Sequence, residues 1–178
     1  MTDAVTFSPS IHPICLPNSA MLNPDHLLHR STSVVGYGAN FIKDGKATLQ
    51  EARFEIFPSS TCNTTYATSS YLNRLKITRS LPDLFQEDLI CAGDPYSDDG
   101  VCRGDSGGPL VIFTTNVNGF SHVQIGVTHG AVANCYGNAF PGIFVRLDDV
   151  DVLEFIHNAT RTVILKGMKD YFMAEIFF

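Results

Sequence analysis

The chain has 178 residues, 44% of them hydrophobic and 17% charged, with a formal net charge of −6. That length fits one globular domain, able to withdraw about 70% of its unfolded surface from water. The acidic balance and the lack of any Lys/Arg cluster exclude nucleic acid and anionic membrane as partners, and no run of eighteen apolar residues offers a membrane-spanning helix.

Trp is absent, Phe, Val, Ile and Thr are plentiful, and Gly and Pro are spread evenly, which is the balance of an all-β chain with many turns. Five cysteines without close-spaced zinc pairs point to disulfides formed in an oxidising compartment, with one thiol left over. The triplets Asn63-Thr64-Thr65 and Asn158-Ala159-Thr160 agree with secretion. Met1 to Ser10 has no apolar core, so no signal peptide is read and the chain is expected to start late.

In chain order, residues 1–20 read as extended, because Pro9, Pro13 and Pro17 forbid helix and Ile11, Ile14 and Leu16 offer apolar anchors. Asn18 to Ser33 is a polar surface loop with solvated His26 and His29. Thr32 to Tyr37 is a strand, Asp44-Gly45 a hairpin turn, and Leu49 to Phe57 an alternating second strand stopped by Pro58. Ser60 to Tyr71 has room for one or two helical turns capped by Ser59 or Ser60. Short strands follow at Leu89–Ala92, Leu110–Thr114, Val123–Thr128 and Ile143–Leu147, separated by the polar Asp94–Gly100 loop, a turn at Asn118-Gly119 and a Gly/Asn/Pro loop from Cys135 to Gly142. Such spacing is that of a barrel or sandwich. Asp148 or Asp151 then caps a helix whose apolar stripe is Val152, Leu153, Phe155 and Ile156. The tail from Arg161 to Phe178, with Met168, Tyr171, Phe172, Ile176 and Phe177, reads as a second amphipathic turn or an extension, and no role is assigned to it.

The chemistry gathers at Cys102-Arg103-Gly104-Asp105-Ser106-Gly107-Gly108-Pro109-Leu110. Glycines let the backbone take φ > 0 or approach another group closely. A serine among them can present its hydroxyl and its own N–H to a reacting carbonyl, as acyl transfer requires. Gly104-x-Ser106-x-Gly108 also fits the nucleophile elbow of an α/β-hydrolase, with Asp148 or Asp151 and then His157 following in order. That elbow needs a helix directly after the serine. Pro109 and the β-rich Leu110–Phe113 oppose one.

Ile14-Cys15-Leu16-Pro17, Ser33-Val34-Val35-Gly36-Tyr37-Gly38, Cys91-Ala92-Gly93, Gly104 to Pro109 and Pro141-Gly142-Ile143-Phe144 occur in an order and spacing that resemble the C-terminal half of a trypsin/chymotrypsin-like (S1) serine protease, from about Val5 to about His157. The resemblance implies an all-β antiparallel Greek-key barrel with a C-terminal helix. It divides the chain into a partial peptidase domain over 1–160 (linker strand 1–30, barrel 31–147, helix 148–160) and an extension over 161–178. It implies Ser106 as nucleophile, the N–H groups of Gly104 and Ser106 as oxyanion donors, and Asp105 as the acid that orders the loop by pairing with a newly cut N-terminus. It implies the disulfides Cys62–Cys91 and Cys102–Cys135, leaving Cys15 for a bridge to a missing N-terminal barrel or light-chain segment. The substrate pocket falls to Gly100, Val101, Arg103, Thr128, His129, Gly130 and Gly142. Gly100 stands where trypsin-like members carry the Asp that binds Arg or Lys, so a chymotrypsin- or elastase-like apolar preference is expected. His129 departs from the aromatic residue usual there.

The implied substrate is a protein or peptide, cleaved by a secreted serine endopeptidase that needs no cofactor and no metal. The family's base lies in an Ala-Ala-His-Cys-type string and its orienting acid in an Asp-Ile-Ala-Leu-Leu-type string. Neither occurs here, nor does the activation string Ile-Val-Gly-Gly. His12 and His122 lack the flanking residues, and Asp3 falls just beyond the place of the acid. The expectations are that the chain alone is inactive, that its loop stays in the inactive arrangement, and that a bare apolar face makes it self-associate. The competing reading is a non-catalytic homologue that uses the barrel as a binding module.

Overall fold

A computed structural model of the chain describes residues 5–17, 24–39, 48–68, 89–116, 119–130, 135 and 140–167. Six antiparallel strands, β1 (Ser31–Gly36), β2 (Gln50–Phe57), β3 (Leu89–Gly93), β4 (Pro109–Asn116), β5 (Gly119–Gly130) and β6 (Gly142–Arg146), close into a barrel in the order β1-β2-β3-β6-β5-β4. Helices α1 (Pro24–Leu27), α2 (Ser59–Thr68) and α3 (Val150–Gly167) stand outside the sheet. This is the all-β barrel with a C-terminal helix that the sequence predicts. The Asp44-Gly45 turn, Asn118, most of the Cys135–Gly142 loop and the tail from Met168 lie outside the described residues.

Closure turns alternate side chains inward. Val34, Phe54, Ile56, Ile90, Ala92, Leu110, Ile112, Val123, Ile125 and Phe144 form one buried cluster, and Leu27 of α1 and Val101 join it. Thr32 also points in, and its hydroxyl donates to the Phe54 carbonyl at 3.1 Å, so the polar atom is not orphaned. β3 and β4 are consecutive in sequence but not neighbours in the barrel. The connection between them, residues 94–108, therefore crosses over, and it carries the serine string.

Two bulges disturb the ladders. Between β4 and β5 the register shifts at Leu110/Val111, and between β5 and β6 it shifts at Thr128/Gly130, which leaves His129 unpaired and exposed. β6 pairs only with Gly126–Gly130 of β5. The earlier part of that edge is taken by the N-terminal segment, where the Cys15 N–H donates to the His122 carbonyl at 3.2 Å and the Gln124 N–H to the Cys15 carbonyl at 2.9 Å. These backbone bonds do the anchoring expected of Ile11, Ile14 and Leu16, which are exposed instead.

The sequence SSTCNTTYAT is poor in helix formers, yet α2 runs ten residues. Tertiary contacts hold it. Cys62 is bonded to Cys91 of β3, and the buried Tyr66 hydroxyl donates to the Pro141 carbonyl at 2.5 Å. The bond at its start runs from the Thr61 N–H to the Pro58 carbonyl. The cap of α3 is Asp149, whose carboxylate accepts the N–H groups of Asp151 at 2.9 Å and Val152 at 3.2 Å. Asp148 and Asp151 do not fill that role. Asp148 is buried and pairs with Arg146, whose Nε lies 2.7 Å from its Oδ1. Val152, Leu153 and Ile156 are half-buried, but Phe155 of the expected stripe points to solvent. The loop expected from Asn18 to Ser33 contains the turn of α1. His29 is exposed as expected, and its Nδ1 sits 2.5 Å from Glu55 Oε1.

Phe144 is fully buried at the centre of this core and packs its ring 6.4 Å from that of Phe54. Phe144→Ala is expected to cost about 3–5 kcal/mol and to lower Tm on the order of 10 °C, read by thermal circular dichroism.

Candidate active site

The crossover connection delivers Ser106 to the surface between two left-handed glycines, Gly104 at φ 99° and Gly107 at φ 85°. A side chain at either would strain the backbone. Both flanks of the loop are fastened to the barrel. The Gly107 N–H donates to the Thr128 carbonyl at 2.9 Å and the Thr128 N–H to the Gly108 carbonyl at 2.8 Å. On the other side the Ala39 N–H donates to the Arg103 carbonyl at 2.7 Å. Pro109 then enters β4, so the residues after Ser106 form a strand and the helix of a nucleophile elbow is absent.

Asp105 holds the loop from within. Its Oδ1 accepts the Gly38 N–H at 2.8 Å and its Oδ2 accepts the Cys102 N–H at 2.9 Å. Its own backbone closes two turns, with the Asp105 N–H on the Cys102 carbonyl at 3.0 Å and the Gly108 N–H on the Asp105 carbonyl at 2.9 Å. A Cβ at Gly36 or Gly38 would collide with the Asp105 carboxylate, so this acid fits only because those two positions are bare. The sequence contains the Gly36-Tyr37-Gly38 string, but nothing local in it signals this cradle. Among the described residues no cationic side chain pairs with Asp105.

With those bonds made, the N–H groups of Gly104 and Ser106 have no acceptor among the described residues, and both residues are exposed. A hydroxyl beside two open N–H donors can attack a carbonyl and receive the negative charge that forms on its oxygen. Thr128 Oγ1, close behind at Gly108, is buried with no hydrogen-bond partner among the described residues.

The disulfide Cys102–Cys135 is formed, with a Cα–Cα distance of 4.9 Å, and ties the base of the serine loop to the chain beyond β5. Cys15 is free and exposed. Gly100, Val101 and this disulfide line a cavity of about 320 Å³ together with Gly36, Gly38 and Asp105. Its remaining acids are Glu51, Asp98 and Asp99. Arg103, Thr128, His129, Gly130 and Gly142 do not line it. Gly142 nonetheless abuts its wall, since a Cβ there would stand 3.1 Å from Val101 Cγ2 and 2.9 Å from the Phe144 ring. The loop that leads to Gly100 is pinned at Asp94, whose carboxyl is held below its usual range by the Tyr96 N–H and then by the Ser97 hydroxyl.

A closed six-stranded antiparallel barrel carrying an exposed, glycine-flanked serine on its crossover loop defines the class of trypsin-like barrels. The sequence model of the trypsin family matches residues 1–156, and the chain belongs to the trypsin-like S1 serine protease family. It is 30% identical over 164 residues to Melanization protease 1 of Drosophila melanogaster, a match that covers 90% of this chain and 36% of that protein. It is 30% identical over 154 residues to the Clotting factor G beta subunit of Tachypleus tridentatus, covering 83% of this chain and 44% of that one. Phenoloxidase-activating factor 3 of Holotrichia diomphalia is 29% identical over 139 residues, covering 78% of the chain and 34% of its own length. The chain thus spans less than half the length of each of these relatives.

Gly38→Ala forces the Asp105 carboxylate off its two donors. It is expected to destabilise the fold by about 1–3 kcal/mol and to speed amide exchange at Cys102, measured by urea unfolding and hydrogen–deuterium exchange.

Proposed function

We propose that this chain is the serine-bearing part of a secreted S1 serine endopeptidase, and that it cuts proteins only when a further segment completes the site. The observation that carries this reading is Ser106 exposed beside two open N–H donors, on a loop ordered by Asp105. In the proposed reaction Ser106 Oγ attacks the scissile carbonyl and gives its proton to a histidine base. The Gly104 and Ser106 N–H groups take the oxyanion. The amine leaves with the proton returned by the base, and water then hydrolyses the acyl-enzyme.

The base and its orienting acid are assigned to residues outside this sequence, because neither of the family strings that carry them occurs in it. Asp105 takes the role of loop-ordering acid, and Cys15, exposed and free, is the tether to that further segment. Gly100 stands where trypsin-like members carry an Asp and itself supplies no charge, which supports an apolar side chain over Arg or Lys, although Asp98 and Asp99 line the same cavity. Two disulfides support an oxidising, extracellular setting for the chain.

In the complete gene product, Ser106→Ala is expected to lower kcat by about 10⁵-fold or more. Gly100→Asp is expected to turn preference from Phe- and Leu-linked reporter peptides to Arg- and Lys-linked ones. Equal kcat in wild type and Ser106→Ala, or no labelling of wild type by a fluorophosphonate, would leave the binding-module reading standing. The 178-residue chain alone is expected to hydrolyse no reporter and to stay unlabelled at Ser106, as checked by intact-mass spectrometry.

A further inference from the structure

Helix α3 shows an outward face that the protease reading does not use. Val152, Leu153 and Ile156 are half-buried, whereas Asp151, Glu154, Phe155 and Asn158 face solvent. Phe155 is 71% exposed and shares its side of the helix with Asp151, Asn158 and Ala159, all exposed. Residues three apart on a helix are neighbours, so Phe155 and Asn158 share one face. Asn158-Ala159-Thr160 is an N-glycosylation acceptor with no proline at its centre. The Thr160 hydroxyl bonds back to the Ile156 carbonyl at 2.7 Å, and the Asn158 amide has no partner among the described residues.

The other acceptor triplet is placed differently. Asn63 is half-buried in α2, next to the fully buried Cys62, and its side chain or backbone is already engaged. A bulky substituent there would press on the contact between α2 and β3.

We propose that Asn158 carries an N-linked glycan and that the face of Phe155 is the seat of its first sugar. The proposal rests on the reading of the chain as exported. In the transfer, Asn158 Nδ2 forms a bond to the anomeric carbon of a polyprenyl-diphosphate oligosaccharide. The anomeric C–O bond breaks, the polyprenyl diphosphate leaves with the electron pair, and the amide gives up one proton. A pyranose has an apolar C–H face, and an exposed aromatic ring gains by covering its own apolar surface with it. One occupant therefore accounts for both the free amide and the exposed ring.

The test expresses the full chain behind a cleavable leader in insect cells and maps the secreted product under non-reducing conditions. Peptide-N-glycosidase treatment is expected to shift the mass by one glycan and to convert Asn158 to an aspartate in the peptide map. N158Q abolishes the shift and N63Q retains it. N158Q lowers Tm by about 2–4 °C, and in an F155A background the same change leaves Tm where it was. Secreted chain with Cys62–Cys91 and Cys102–Cys135 bonded but Asn158 unmodified overturns the glycan while leaving the protease reading intact. An equal Tm loss in both backgrounds overturns the seat on Phe155. Failure of both disulfides to form in the oxidising compartment overturns the exported reading, and this proposal with it.

Discussion

The geometry of the serine loop depends on one half-buried accommodation, the carboxylate of Asp105 set against two backbone N–H groups. The donors come from opposite sides, Gly38 after β1 and Cys102 within the loop itself. Hydrogen bonds to an ionised acceptor are roughly twice as strong as neutral ones, so this acid does the work of several weaker contacts. It can approach so closely only because Gly36 and Gly38 have no side chains. Once it is seated, its own carbonyl and N–H close the turns on both sides of Ser106, and Gly104 and Gly107 take the positive φ values that those turns require. The serine itself makes none of these bonds. It is exposed because its neighbours are held.

The barrel supplies the other half of that constraint. β3 and β4 are separated by β6 and β5 in the ring, so the chain must cross between them, and the crossover is where functional residues can sit without interrupting a ladder. The Cys102–Cys135 disulfide and the paired bonds between Thr128 and residues 107–108 fix both banks of the crossover to the β5 side. Thr128 is then caught between two demands. Its backbone secures the serine loop, while its hydroxyl is buried without a hydrogen-bond partner among the described residues.

How much of this was legible in the sequence follows from how local each cause is. The second strand was readable because a closed barrel enforces period-two burial, visible at Phe54 and Ile56 on either side of Glu55. The α3 cap was missed by one residue among Asp148, Asp149 and Asp151, since three acids in four positions satisfy the same rule and only the buried pairing of Asp148 with Arg146 separates them. Ile11, Ile14 and Leu16 look like anchors, but the segment is held through Cys15 backbone bonds to an open edge of β5, which no side-chain pattern records. Both disulfides were read from resemblance, because five cysteines do not determine their own pairing. The Gly36–Gly38 cradle was invisible, for its partner lies 67 residues further along the chain.

Fold and site are nearly separate in this molecule. The residues that stabilise the barrel, Leu110, Ile125 and Phe144 among them, are fully buried and never reach the serine. The residues around Ser106 are mostly exposed and owe their positions to backbone bonds rather than to packing. A barrel of this family would therefore keep its shape if Ser106 were replaced, and membership of the family says nothing about catalysis on its own. The argument for chemistry rests instead on specificity of cost. Two left-handed glycines and two bare positions opposite an acid each forgo stability that an ordinary loop would keep. Their convergence on one exposed hydroxyl is what a loop shaped only to connect two strands has no reason to maintain.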